Sequence, residues 1–126
     1  MSVYVDMYHD RVKDLVEKHL SITRNGKLLL AVWYDRDNEK GDVNLFEVYE
    51  DFPDPGMGKL ETFMFPSSSA FPMKGDLRLT ITSPSELREA AERGDTILKS
   101  IQESPDLEVI YPEGGDLTTI LREMSR

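Results

Sequence analysis

The run Leu28-Leu29-Leu30-Ala31-Val32-Trp33-Tyr34 constrains the fold of this chain more than any other stretch. Seven consecutive apolar or aromatic residues leave no polar side for water in either regular structure. The run is far shorter than the roughly 20 residues that a membrane helix needs. Asn25-Gly26 before it and Asp35 after it are residue types that turns favour. The reading is a strand buried on both faces. Asp42 to Tyr49 follows with aromatic and branched residues at both parities, a second strand. The charged turn from Asp35 to Gly41 joins the two as an antiparallel pair.

The remaining elements follow from periodicity and punctuation. Val12, Leu15, Val16 and Leu20 recur at helical steps between Tyr8 and Ser21, predicting an amphipathic helix. Phe52 to Lys59 holds two prolines and two glycines and reads as a loop. Leu60 to Phe65 and Leu77 to Thr82 read as strands, the second alternating Leu77, Leu79 and Ile81 with Arg78, Thr80 and Thr82, which predicts one exposed face. Ser83-Pro84-Ser85-Glu86 is a capping box with proline at the first helical position. That helix stops at Gly94, and Asp95 is placed to cap a second one burying Ile97, Leu98 and Ile101, closed by Pro105. Leu107 to Tyr111 forms a short strand ended by Pro112, and a last helix buries Leu117, Ile120, Leu121 and Met124. Strands and helices are mostly segregated. The expected object is a single α+β domain over residues 1–126, with a mixed or antiparallel sheet of about four to five strands and helices packed against it.

Charge narrows the partners. Twenty-four acidic residues against fifteen basic ones give a net charge of −9, which repels phosphate backbones and anionic lipid, so nucleic acid and membrane surfaces are excluded as expected partners. There is no cysteine for a disulfide, a thiolate metal site or a cysteine nucleophile. The segment Met1-Ser2-Val3-Tyr4-Val5-Asp6 lacks a signal peptide's layout, and a cytoplasmic protein is the expectation.

One constellation carries chemistry. Asp42 and Asn44, two apart on a strand, point to one face, and Asp76 opens another strand; if the strands are neighbours, three oxygen donors converge where Mg²⁺ would hold a triphosphate. Beside a turn, Asp42 after Gly41 and Asp76 after Gly75 also read as turn-stabilising groups. His9 and His19, ten apart on the first helix, read as surface or boundary residues, and Ser67-Ser68-Ser69 lacks the base or elbow that a nucleophile needs.

Helix, buried strand, polar turn, a strand with Asp42-x-Asn44, a later strand with Asp76, then "TSPSELREA" and "LEVIYPEG", resembles a minimal nucleotidyltransferase domain over most of the chain. The resemblance implies Asp42, Asn44 and Asp76 as metal ligands, Mg²⁺ as cofactor and Arg36 as a nucleotide-binding residue. It also implies a degenerate site. The family's phosphate-holding Gly-Ser pair aligns with about Trp33-Tyr34, and Asn44 stands where a second acid would supply charge. The expected function is thus a non-catalytic module that binds a partner or a nucleotide, the alternatives being an active Mg²⁺-dependent nucleotidyltransferase and a purely structural or homodimeric domain. Phe52, Met57, Phe63, Phe65, Phe71 and Met73 concentrate apolar side chains around prolines and glycines and are the candidate surface for a protein partner or a second copy.

Overall fold

The computed structural model describes residues 3–22, 27–50, 61–66, 74–94 and 96–124. They form α1 (Val3–Ile22), β1 (Leu28–Tyr34), β2 (Val43–Tyr49), β3 (Glu61–Phe65), β4 (Leu77–Thr82), α2 (Pro84–Glu92), α3 (Ile97–Gln102), β5 (Glu108–Tyr111) and α4 (Leu117–Met124). The domain is α+β. Its five strands make one sheet in the order β3-β4-β2-β1-β5, antiparallel at every pairing except the central, parallel β2–β4 pair. Asn25, Gly26, Asp95 and the loop from Phe52 to Lys59 lie outside the described residues.

The buried strand expected from the apolar run is β1, paired antiparallel with β2 from Leu28–Tyr49 to Tyr34–Asn44. Alternation divides its side chains between two cores. Ala31 and Trp33 join Val43, Leu45 and Tyr49 of β2 under α1, which contributes Val5, Tyr8, Val12 and Val16. Leu30 and Val32 join Phe46 and Val48 on the opposite face, beneath Leu87 of α2, Ile101 of α3, and Leu117 and Leu121 of α4. A sheet covered on both faces explains why β1 and β2 lack a polar side.

Three expectations need correction. Helix α1 begins at Val3 rather than Tyr8, because Val5 and Tyr8 extend the buried stripe by another turn and more. Its Leu20, expected on that stripe, is exposed. The polar face of β4 is not open: Thr80 and Thr82 are buried and only Arg78 is exposed. Threonine tolerates this because its methyl group packs while its hydroxyl bonds locally, as Thr80 does with Thr62 of β3 at 2.9 Å. His19 lies at the boundary of the core, within the surface-or-boundary reading, and its ring meets the buried Glu47.

Local signals set the helix ends. Ser83 caps α2, its hydroxyl accepting the Glu86 amide, and Pro84 occupies the first turn. The Glu86 carboxylate, itself buried, meets Arg93 Nη2 at 3.0 Å. Gly94 (φ +80°) ends the helix as expected. Among the described residues no helix is long and apolar enough to cross a membrane.

Candidate site at the start of the parallel strand pair

Because β2 and β4 run parallel, both begin at the same end of the sheet. Val43 pairs with Leu77 and Asn44 with Arg78, so the condition placed on Asp42, Asn44 and Asp76, that their strands be neighbours, is met. Asp42 and Asp76 do meet, but through the backbone. Asp42 Oδ1 accepts the Asp76 N–H at 2.8 Å, while the Val43 N–H donates to the Asp76 carbonyl at 2.9 Å and the Gly75 N–H to the Gly41 carbonyl at 3.1 Å. The approach is so close that a Cβ on Gly75 would lie 2.1 Å from Asp42 Oδ1. Asp42 therefore acts as a clasp that aligns the first residues of two parallel strands lacking a short connection.

Asp42 precedes β2 rather than lying on it, and Asn38 fixes its backbone. Asn38 Nδ2 donates to the carbonyls of Asp35 (2.8 Å) and Asp42 (2.9 Å), and Asn38 Oδ1 accepts the Asp42 N–H at 2.9 Å. One side chain thereby closes the turn that Asp35 (φ +47°) and Gly41 (φ +71°) bend. Asn44 is buried on β2 between Tyr34 of β1 and Arg78 of β4. Burial pushes the Tyr34 hydroxyl above its usual range, against smaller opposing contributions from the Thr80 hydrogen bond and the Arg78 charge.

Mg²⁺ fits this donor set poorly. One Asp42 oxygen is committed to an amide, Asn44 is neutral and buried, and among the described residues no three His, Cys, Asp or Glu side chains are grouped to hold a metal ion. Arg36 is also committed. Its Nε donates to the Asp106 carbonyl, its Nη1 lies 3.3 Å from Glu108 Oε2, and its guanidinium sits 5.3 Å from the centre of the Trp33 ring. The pattern ties the turn after β1 to the entry of β5.

Among the candidate surface residues, Phe63 packs partly into the core under α1, whereas Phe65 and its neighbour Met64 are exposed; Phe52, Met57, Phe71 and Met73 lie outside the described residues. Sequence reasoning missed a buried polar triad. Glu47 on β2 is fully buried; its Oε2 lies 2.6 Å from His19 Nδ1 and its Oε1 accepts the Tyr49 hydroxyl at 2.8 Å. The signal was available: Glu47 shares its parity with Val43, Leu45 and Tyr49, all core residues, so an acid there requires partners.

Compared with protein families, curated proteins and solved structures, the chain matches none.

Proposed function

We propose that this chain is a nucleotidyltransferase-like domain whose site no longer performs chemistry, and that it works by binding a protein partner. The observation that carries this reading is the Asp42–Asp76 clasp. One oxygen of the carboxylate on which metal-dependent transfer would depend is committed to the Asp76 amide at 2.8 Å. Neutral Asn44 and the committed Arg36 point the same way, since neither supplies the charge that a triphosphate and its cation need.

The test is a set of amide chemical-shift titrations with Mg²⁺ plus ATP, CTP, GTP or UTP, repeated on the Asp42→Ala protein once its fold is verified. The expected result is no saturable shift at Arg36, Asp42, Asn44 or Asp76. Saturable shifts there, lost in the variant, would restore the nucleotidyltransferase reading.

A second reading, self-association, is favoured by Met64 (53% exposed) and Phe65 (46% exposed) on β3, an edge strand of the sheet. Sedimentation velocity over a wide concentration range decides it. A concentration-dependent dimer that Phe65→Glu abolishes supports a second copy on β3; a constant monomer retires it.

A further inference from the structure

The opposite edge of the sheet has a different character. Strand β5 is bonded to β1 along one side, and no described strand covers the other. Each of its faces opens on a groove. On the α1 face, Val16, Leu20, Ile110 and Tyr111 line a groove of about 210 Å³ rimmed by Lys13, Glu17 and Glu113. On the other face, Leu107, Val109 and Leu117, with Glu108 and Asp116, line one of about 510 Å³. Successive side chains of an extended segment point to opposite faces. A segment paired to β5 would therefore place alternate side chains in the two grooves.

Charge selects the occupant. Of the charged residues lining the two grooves, four are acidic and one is basic; Glu108 is already paired with Arg36 and His9, which leaves Glu17, Glu113 and Asp116 against Lys13. The hydroxyl and amide of Thr119 both donate to Asp116, which is ionised at neutral pH as any exposed carboxylate is. Lys13 lies 4.0 Å from Glu113 in an exposed pair, a contact weak enough for an incoming cation to replace. The same acids, on a chain of net charge −9, repel a second copy. We infer that the β5 edge docks an extended, cationic segment of a partner protein by strand addition. The inference rests on the reading of this chain as a binding module and names the surface and the partner chemistry.

The probe is a fluorescein-labelled heptapeptide of alternating Arg and Val, with two controls: its Glu-for-Arg counterpart, and an Arg/Val peptide N-methylated at the backbone amides of both edges. The Arg/Val peptide is expected to bind saturably, with amide shifts clustered at residues 107–113. Neither control should bind. The exposed double substitution Glu17→Lys, Glu113→Lys should weaken binding at least about tenfold, because it replaces two attractive charges near the surface with two repulsive ones. Undiminished binding of the methylated peptide, shifts centred elsewhere, indifference to the charge reversal, or no binding of the Arg/Val peptide would each overturn the docking site. These results are separate from the nucleotide titration, which tests the non-catalytic reading by itself.

Discussion

His19 Nδ1 on α1 and Glu47 Oε2 on β2 lie 2.6 Å apart, with the Glu47 side chain wholly shielded from solvent. The other carboxylate oxygen accepts the Tyr49 hydroxyl, so both oxygens of a buried acid are satisfied and α1 is fixed along β2. Removing such an acid leaves its partners without their acceptor, which costs more than the pair itself contributes. Glu47→Ala is expected to destabilise the fold by about 3 kcal/mol, and Glu47→Gln, which keeps the shape and one acceptor, by less. Urea unfolding read as a midpoint change at constant slope measures both. An unchanged Glu47→Ala midpoint would mean that the triad does not hold α1 in place.

The same triad predicts an alkaline limit. Burial, and then the Glu47 charge, pushes the Tyr49 hydroxyl far above its ordinary value of 10.0. The folded chain thus keeps a proton that the unfolded chain releases. Stability from this group is complete below the ordinary tyrosine value and is lost as pH rises past it. Tyr34, also raised, adds to the decline in the same direction. Tyr49→Phe should start less stable yet lose stability with a slope shallower by about 1.4 kcal/mol per pH unit above pH ~10.5. Equal slopes in the two proteins would place the proton elsewhere.

Local rules made the strands β1 and β2, the Ser83 cap and the stop at Gly94 legible, because each depends on residues near in sequence. The parallel β2–β4 pairing was not legible in that way. It joins Val43 to Leu77 across a segment that itself supplies the edge strand β3, and nothing local distinguishes this from a simple meander. The candidate site followed the same division. Its residues were found and two of them do meet, but whether an aspartate beside a glycine binds a metal or an amide depends on the neighbouring backbone, here that of Gly75 and Asp76. Thr80 and Thr82 misled for a related reason, since alternation reports polarity and threonine can be polar and buried together.

Asp106 should control the junction of β1 and β5. Its Oδ2 accepts the Asp37 N–H at 2.6 Å and its Oδ1 the Ser104 hydroxyl at 2.9 Å; Ser104 Oγ in turn accepts the Asp35 N–H. Partial burial works against the ionised form, but these bonds outweigh it and hold the carboxyl below its ordinary 3.8. A depressed carboxyl contributes stability above its ordinary value and loses it as the solution is acidified through the folded value. Asp106→Ala is expected to speed hydrogen exchange at Asp37 and along β5 at neutral pH, leaving the β2–β4 amides unchanged. Wild-type protein should show the same local opening only in acid. Uniform acceleration across the sheet would instead make Asp106 a determinant of global stability.

Asp42 gives the sharpest contrast between a clasp and a ligand. Asparagine keeps an oxygen for the Asp76 amide and removes the charge, whereas alanine removes both. If the clasp is its role, Asp42→Asn should unfold within about 0.5 kcal/mol of wild type and Asp42→Ala about 1–2 kcal/mol below it. Gly75→Ala should cost at least as much as Asp42→Ala, because its Cβ would lie 2.1 Å from Asp42 Oδ1 and 2.6 Å from the Asp42 nitrogen, forcing the two strand starts apart. Millimolar Mg²⁺ should leave the melting temperature of all four proteins unchanged, since an ion that binds the folded state would raise it by mass action. A metal ligand predicts the opposite order: Mg²⁺ would stabilise wild type alone, and Asp42→Asn would resemble Asp42→Ala, because Mg²⁺ depends on the charge that asparagine removes and the Asp76 amide does not.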